Sequence, residues 1–420
     1  MYFCRTLKPV KTRMTKRFLI SRDSPFFVAQ VTLLLALLTS LSPFATDTYI
    51  PALPVMADFL GQPINMLEVT LTLYFLGVAM GQLFGGPLSD SFGRKKIALI
   101  GLALFSISSL LAVFVTDVYY LWVLRFIQAM GGGAASVVNM AFVRDWFEGK
   151  DVARMSSLIG MIMMMAPLVA PVIGTFLLIH FNWQSIFIFM FLMSAAVLVL
   201  FVFLMPESRD KELITNKISL KRIRISYGTV FSSPKAVMLV LCSSFAVSGM
   251  FTFLTGASFL YIDFFHVKVS NFPLFFGANI LLNVLLTLLN YRLVKRISPV
   301  KLLHVGLILQ LISGVVLFLA VRQNAPSLWI VFCSIVVFIG SLGLIFANIV
   351  ALILNQFHAI SGSANAVIGV VRFAFSGAIG SLLAVFHSGD LIPMGTIMCG
   401  CSVLAYLFFT ASRFMKNPVS

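Results

Sequence analysis

The chain has 420 residues, of which 60% are hydrophobic and only 10% are charged. Soluble domains carry about a quarter charged residues, so this composition, with a mean hydropathy of +1.02, excludes a soluble globular protein. Runs of about 20 apolar residues, each long enough to cross a bilayer as a helix, recur along the sequence and predict a polytopic membrane protein.

The formal net charge of +16 could indicate a nucleic-acid-binding protein. Most of the 30 lysines and arginines, however, fall in the N-terminal tail and in alternate connections between apolar runs. Because these residues accumulate in cytoplasmic loops, the pattern indicates membrane topology and no nucleic-acid partner. The five cysteines form no CxxC or Cys/His pair, so the sequence predicts neither a metal site nor a cofactor.

Twelve membrane spans are predicted in two sets of six. The first set is 26–56, 66–87, 97–116, 119–142, 157–179 and 185–205, and the second is 236–259, 272–292, 302–321, 327–354, 362–386 and 391–411. An even number of spans behind a basic N-terminus places both chain ends in the cytoplasm. A signal peptide is the alternative for the first run, but the run is too long and lacks a clear cleavage site. Met14 is an alternative start to Met1.

One long polar interruption divides the chain into two halves. The sequence therefore predicts an all-α integral membrane protein with twelve transmembrane helices in two pseudo-symmetric six-helix bundles. Its predicted parts are a cytoplasmic basic tail (1–25), an N-terminal bundle (26–205), a cytoplasmic linker (206–235), a C-terminal bundle (236–411) and a cytoplasmic C-terminal tail (412–420). This is the plan of transporters built from repeats, which bind substrate near the midplane between the halves.

A carboxylate closes the apolar run of the first span, in LSPFATDTYIPALP. If the span ends near Met56, Asp47 lies about nine residues below the periplasmic face, whereas an end near Tyr49 makes it interfacial. Pro51 and Pro54 blur this end, since proline kinks or stops a helix, but the apolar residues that follow favour continuation. A buried carboxylate whose proton affinity depends on local water and charge can couple proton movement to conformation. Tyr49 is a candidate for lining a cavity.

The connection after the second span reads GGPLSDSFGRKK. The two glycines allow close helix approach. Asp90 is placed to cap the following turn or to face the N-terminus of a neighbouring helix, whose dipole favours an anion. Gly93 permits the turn, and Arg94, Lys95 and Lys96 hold the connection in the cytoplasm. An ordinary charged loop is the alternative.

Arg125 lies in the fourth span about six residues, roughly 9 Å, from the periplasmic end. Burying arginine in hydrocarbon costs at least about 2.5–3.5 kcal/mol, so Arg125 should face the protein interior and a partner. Gln128 lies on the same side, three residues later, and is a cavity candidate. The alternative is an arginine whose long side chain reaches the interface. Arg125 and Asp47 lie at comparable depth, which allows either a permanent salt bridge or a titrating pair.

The fifth span carries Gly160, Pro167, Pro171 and Gly174 at spacings that place all four on one helical face. Such a face bends and packs closely against a neighbouring helix, so these residues are predicted to serve helix packing or conformational change.

The second half offers three polar candidates for the cavity. Arg372 lies near the middle of the eleventh span with no predicted carboxylate to pair with, so it faces the aqueous cavity, binds an anionic group or reaches a backbone carbonyl. Asn279 and Asn283 share a face of the eighth span, where they either contact substrate or form interhelical hydrogen bonds.

The connection after the second span resembles the G-x-L-x-D-x-x-G-R-[KR]-[KR] motif of the major facilitator superfamily. Every position is matched, by Gly86, Leu88, Asp90, Gly93, Arg94, Lys95 and Lys96. The resemblance implies that this connection is a cytoplasmic latch that holds the two halves in the outward-facing state.

Further strings narrow the resemblance to the bicyclomycin-resistance (Bcr/CflA) family of the twelve-span drug:proton antiporter branch. They include YIPALP, RFIQ, ASVVNMAFVRD, SGMFTFLTGASFLYID and VVRFAFSGAIGSLL. This resemblance implies a monomer of the bacterial inner membrane that exports small amphipathic drugs, such as bicyclomycin, amphenicols or sulfonamides, driven by proton entry.

The resemblance also assigns roles to residues. Asp47 would be the protonatable residue of the first span, and Arg125 the arginine of the fourth-span R-F-x-Q-G string, whose glycine is displaced here to Gly131. Thr39 and Ser40 stand where some related antiporters have a further acidic residue, so one coupling proton is expected.

Two other function classes compete with export. A proton-coupled importer or a uniporter of a small metabolite shares the fold, which does not fix direction, but a uniporter needs no titrating carboxylate. A membrane enzyme needs clustered catalytic residues, whereas the five histidines fall near predicted span ends without such partners. The sequence has no G-x-x-x-x-G-K-[ST] string, which argues against an ATP-driven pump.

Overall fold

The computed structural model describes residues 27–147, 150–209, 214, 228, 231–354, 356–357, 361–386 and 389–415, and these residues contain helices and no strand. Within these described residues, twelve segments are long and apolar enough to cross a membrane, which confirms the predicted number. The predicted tail at 1–25, much of the predicted linker and the end of the C-terminal tail lie outside the described residues.

We number the membrane spans 1 to 12. Spans 1 to 6 are Gln30–Leu60, Ile64–Phe92, Arg94–Ala112, Val118–Trp146, Leu158–His180 and Trp183–Leu204. Spans 7 to 12 are Pro234–Phe264, Val269–Leu293, Pro299–Ala320, Leu328–Ile353, Val367–Val385 and Ile392–Phe414. Span 5 belongs to a longer helix, Lys150–His180, and span 11 to the helix Ser361–Val385.

Span 1 is broken in its C-terminal part. Helix Phe27–Asp47 is followed by a 3₁₀ turn, Ile50–Ala52, and by a second helix, Leu53–Leu60. Pro51 and Pro54 cause the break because they have no N–H to donate to the preceding turn. The chain continues across the membrane as predicted, and Asp47 lies at the break.

Span 2 is longer than predicted, since its helix runs to Phe92 and includes Asp90 in its last turn. The predicted loop is therefore almost wholly helical. Gly93 alone separates spans 2 and 3 and adopts φ 101°, a conformation that favours glycine. The helix continues through Pro87 beyond the apolar segment and ends at Gly93.

A ridge of small residues joins spans 2 and 4. A Cβ atom on Gly77 would lie 2.5 Å from the Phe126 carbonyl oxygen, and one on Gly85 would lie 2.7 Å from the Cα of Ala134. Gly86, which was predicted to take part in this close approach, has no neighbour within 4 Å of such an atom. One residue is about 100° around a helix, so Gly86 points away from the ridge.

Among the described residues, the largest contacts between the two halves join spans 2 and 11 and spans 5 and 8. The span 2 to span 11 contact extends from Asn65, whose Nδ2 donates to the Ala384 carbonyl at 3.4 Å, to Gln82, whose amide meets Gly369. The other large contacts stay within one half. The arrangement is the predicted pair of six-helix bundles with an interior between them.

Candidate functional site

Asp47 is buried in the N-terminal half with 5% of its surface exposed. Its Oδ1 accepts a hydrogen bond of 2.8 Å from the Thr46 hydroxyl. The adjoining residues are fixed by two other spans: the Thr48 backbone touches Gly174 of span 5, and the Tyr49 hydroxyl lies 2.9 Å from that of Thr70 in span 2. The predicted burial of Asp47 is confirmed.

Arg125 of span 4 is completely buried, and both of its terminal nitrogens donate hydrogen bonds, whereas its Nε has no hydrogen-bond partner among the described residues. Its Nη1 donates to Gln128 Oε1 at 2.7 Å, and its Nη2 donates to the Ala45 carbonyl at 3.0 Å. The guanidinium lies between two aromatic rings, 4.5 Å from the centroid of Tyr49 and 4.4 Å from that of Tyr74. The expectation that Arg125 faces the interior and has partners is confirmed. Its guanidinium is enclosed by protein, unlike that of an arginine that extends to the membrane interface.

The break in span 1 explains why Arg125 donates a hydrogen bond to the Ala45 carbonyl. The Tyr49 N–H donates to the Thr46 carbonyl at 3.2 Å and not to Ala45, one residue earlier. The Ala45 carbonyl thus loses its helical donor, and the guanidinium satisfies it. No ion pair joins Arg125 and Asp47 in the part of the chain that the structure describes. Of the two predicted arrangements, a permanent salt bridge is therefore absent from this conformation.

Two of the predicted cavity residues are enclosed within the N-terminal half. Tyr49 and Gln128 are fully or almost fully buried. The Gln128 amide also donates to the Ser109 hydroxyl at 2.7 Å. Buried polar groups need such partners, so both side chains belong to the polar core that holds Arg125 and neither lines open space in this conformation.

The two predicted asparagines of span 8 do not converge on a common ligand site. Asn279 is buried, and its Nδ2 donates to the Phe275 carbonyl of its own helix at 3.1 Å. Asn283 donates from Nδ2 to the Ile339 carbonyl of span 10, also at 3.1 Å. Asn283 therefore forms an interhelical hydrogen bond, which was the alternative to a substrate contact.

Arg372 remains partly exposed in the middle of span 11. It makes no ion pair and no hydrogen bond with any residue that the structure describes, so the predicted backbone carbonyl partner is not found there. Its guanidinium lies over the Phe346 ring, 4.7 Å from the centroid, and 5.4 Å from that of Phe373.

A buried carboxylate that sequence analysis missed is Glu68, in the first turns of span 2 with 1% of its surface exposed. Asp263 at the end of span 7 is close enough for the two carboxylates to repel each other. The sequence itself could have pointed to Glu68, since it is the single charged residue of the predicted span 66–87. The structure places it where the halves meet.

The predicted latch forms an ion-pair network at the C-terminal end of span 2. Asp90 Oδ1 lies 2.5 Å from Arg94 Nη1 and 3.6 Å from Arg209 Nη1, and Arg94 Nε lies 3.3 Å from Asp145 Oδ2. All four residues belong to spans 2 to 4 or to the segment after span 6. Within the described residues, this network makes no ion pair to the C-terminal half.

Glu207, just after span 6, takes the capping position expected for Asp90. Its two carboxylate oxygens accept the backbone N–H groups of Arg94 and Lys95 at 2.8 and 3.0 Å. An anion at a helix N-terminus is stabilised by unpaired N–H groups and the helix dipole. A Cβ on Gly93 would lie 2.6 Å from Glu207 Oε2, so glycine is needed there for space as well as for φ. Lys96 lies over the Phe92 ring.

Asp90→Asn is expected to slow turnover severalfold while leaving substrate affinity nearly unchanged. The substitution removes the charge that faces Arg94 and Arg209, whereas Arg94 keeps Asp145. Turnover in proteoliposomes and binding to the purified protein check this. The control is Asp117→Asn, at the start of span 4, because asparagine caps a helix as well as aspartate does. Weakened binding with unchanged turnover would argue against the latch role.

The predicted packing face of span 5 is only partly used. Its helix runs unbroken through Pro167 and Pro171. A Cβ on Gly174 would meet the backbone of Thr48 in span 1, whereas one on Gly160 would have no neighbour within 4 Å among the described residues. Span 5 thus approaches span 1 closely at the Gly174 level, next to Asp47.

Gly174→Ala is expected to destabilise the protein by about 1–3 kcal/mol, the usual effect of overpacking, and to lower transport. The added methyl would meet backbone atoms of Thr48, which cannot rotate away. Thermal unfolding in detergent and transport assays check this. Gly160→Ala is the matched control; it has free space and should be neutral or stabilising, by up to about 1 kcal/mol. Equal effects of the two substitutions would contradict the close contact.

Comparison with known proteins places these features in a family. A model of the Major Facilitator Superfamily matches residues 35–381. A bicyclomycin resistance protein homolog of Haemophilus influenzae is 34% identical over 390 residues, which cover 92% of this chain and 97% of that protein. Multidrug resistance protein D of Escherichia coli is 26% identical over 384 residues, covering 89% and 93%.

Solved structures agree with the fold. A D-xylose–proton symporter superposes with a TM-score of 0.73 at 17% identity, covering 93% of this chain and 98% of that one. The nucleoside transporter NupG gives 0.71 at 14% identity, covering 92% and 99%. At such identities the likeness concerns the fold alone.

Proposed function

This chain belongs to the major facilitator superfamily, and from that premise we propose that it exports small amphipathic, drug-like molecules across the bacterial inner membrane in exchange for protons. It is a transporter and not an enzyme. Export is supported by the names of its relatives, a bicyclomycin resistance protein homolog and a multidrug resistance protein. The basic connections favour a cytoplasmic location for both chain ends. We propose that it works as a monomer.

The burial of Asp47 at the break in span 1 is the observation that carries proton coupling. A charge inside a helical bundle is costly, so gaining or losing a proton there changes the relative free energies of the conformations. Arg125 is engaged elsewhere and does not neutralise Asp47 in this conformation. The carboxylate can therefore exchange its proton without first breaking an ion pair to that arginine.

The surroundings of Asp47 provide a route from protonation to movement. The segment before the break is held by Arg125 of span 4 through the Ala45 carbonyl, and the segment after it is held against Gly174 of span 5. A rearrangement at Asp47 acts on both contacts directly. In the proposed cycle, substrate bound from the cytoplasm favours the outward-facing orientation of the two bundles, and a proton bound from the periplasm after substrate release favours the return to the inward-facing one.

The main alternative is an importer or a uniporter of a small metabolite. The fold is shared by a D-xylose–proton symporter and does not decide direction. Export in exchange for protons moves protons together with substrate, whereas a uniporter moves none. In a proton-coupled importer, protons and substrate move in the same direction, whereas in the proposed exporter they move in opposite directions.

Everted membrane vesicles test the proposal. With wild-type protein, adding a substrate to energised vesicles should release protons from the lumen, and vesicles without the protein should show no response. Substrates are found by a growth screen of an efflux-deficient host against bicyclomycin, chloramphenicol and a sulfonamide. Resistance without proton release would refute the coupling. Proton and substrate movement in the same direction would identify a symporter.

A further inference from the structure

We propose that Arg372, Phe346 and Phe373 form a substrate subsite that selects aromatic compounds with an anionic or strongly hydrogen-bond-accepting group. This inference rests on the proposed function and names the class of substrate. It concerns the C-terminal half of the interior and uses none of the residues around Asp47.

The first observation is that the charged side chain of Arg372 has N–H donors without a partner among the described residues. Arg372 makes no ion pair or hydrogen bond within the described residues, and its side chain is only partly buried. Its N–H donors are therefore available to a ligand. Arg125 is the opposite case, because it is fully buried with two hydrogen bonds. An arginine in a membrane span is costly and marks a functional site by default.

The second observation is the aromatic surface beside this arginine. Phe346 of span 10 is 42% exposed although it lies deep in a span, and its ring lies under the guanidinium with a separation of 4.7 Å. The guanidinium carbon also lies 5.4 Å from the centroid of the Phe373 ring. Stacking fixes the plane of the guanidinium and leaves its edge, with five N–H donors, free for a planar acceptor group.

The third observation places this group between the two halves and not against lipid. Phe373 contacts Phe251 of span 7 with 5.7 Å between ring centroids, and Phe251 contacts Phe75 of span 2 at 4.1 Å. One turn before Arg372, Gly369 meets Gln82 of span 2. The aromatic path thus crosses from the C-terminal to the N-terminal bundle, where a transporter of this plan binds substrate.

These observations together define the ligand chemistry. An aromatic ring can stack on Phe346, and a sulfonate, sulfonyl, nitro or carboxylate group can accept hydrogen bonds from the guanidinium edge. A lipophilic cation would meet repulsion from Arg372, with no carboxylate within salt-bridge distance in the described residues to offset it. The subsite should therefore prefer anionic over neutral and neutral over cationic aromatic compounds.

Binding to the purified, full-length protein tests this preference with three probes of one ring system: naphthalenesulfonate, naphthalenesulfonamide and naphthylmethylammonium. We expect affinity to fall in that order. Arg372→Gln should weaken naphthalenesulfonate binding about tenfold or more, as expected on loss of a charged hydrogen-bond donor. It should leave the ammonium probe unchanged or better bound. Methanesulfonate, which has no ring, should bind much more weakly to the wild type.

Two further variants make the test specific. Phe346→Leu keeps the charge and should weaken all ring-bearing probes alike. Arg322→Gln is the matched control, because Arg322 also lies over a phenylalanine ring, Phe318 at 4.4 Å, but at an exposed loop position. Arg322→Gln should change nothing.

The outcomes separate this inference from the proposed function. A preference for the cationic probe, or equal sulfonate affinity of the wild type and Arg372→Gln, would overturn the subsite. Because binding is measured without a proton gradient, the expected probe order could hold even if everted vesicles showed no proton release. In that case the exchange mechanism would fail and the subsite would stand.

Discussion

Asp47→Asn is expected to reduce substrate-induced proton release in everted vesicles to the background level and to abolish drug resistance. Asparagine has nearly the same shape as aspartate and can still accept the Thr46 hydrogen bond, but it carries no exchangeable charge. The protein should therefore fold, insert and bind substrate, yet stop coupling. Proton release, growth with drug and binding to the purified protein are the three measurements.

Glu68→Gln is the comparison that makes this result decisive. Glu68 is the other carboxylate buried at 5% exposure or less in the described part of the chain, and it lies at the junction of the halves. If Asp47 carries the coupling proton, Glu68→Gln should retain substrate-induced release. If Asp47→Asn still releases protons while Glu68→Gln does not, the coupling role belongs to Glu68.

Arg125→Lys is expected to lower the thermal stability of the protein clearly and transport at least severalfold, although the positive charge is kept. Lysine has no planar fork, so it cannot reach Gln128 and the Ala45 carbonyl together while filling the space between the rings of Tyr49 and Tyr74. Each hydrogen bond to a charged group contributes about 1.5–3 kcal/mol. Thermal unfolding in detergent and vesicle transport check this.

The matched control is Arg322→Lys, which makes the same chemical change at an exposed ring contact. It should leave stability and transport unchanged, since surface contacts of this kind contribute little. Equal behaviour of the two lysine variants would show that charge alone, and not the geometry around the break in span 1, is what the protein needs at Arg125.

Several features of the site could be predicted because they depend on local sequence. Because burying arginine in hydrocarbon is costly, Arg125 was expected to face the protein interior, and it does. Pro51 and Pro54 interrupt the helix of span 1 whatever its neighbours are, because proline has no backbone N–H to donate, and the helix breaks beside Asp47. Gly93 was predicted to make the turn after span 2, and it adopts a positive φ there.

Other features could not be predicted because they depend on contacts between distant parts of the chain. Asp90 was expected to cap a helix N-terminus, but Glu207, more than a hundred residues after Arg94, occupies that position. Gly86 was expected at a helix contact that Gly85 makes instead, because one residue of rotation decides which glycine faces the neighbour. The Arg125 partner is a carbonyl exposed by a helix break in another span.

The sequence by itself determined the number of spans, their division into two halves and the presence of polar residues within them. These are local properties: each apolar run must be long enough for the bilayer and must satisfy its own backbone hydrogen bonds. Only the tertiary structure decided that Arg125 is held by Gln128 and a carbonyl, while Arg372 lies over a phenylalanine ring and makes no ion pair or hydrogen bond with the described residues. Helix rotation and tilt set which side chains meet, and they follow from the packing of all twelve spans together.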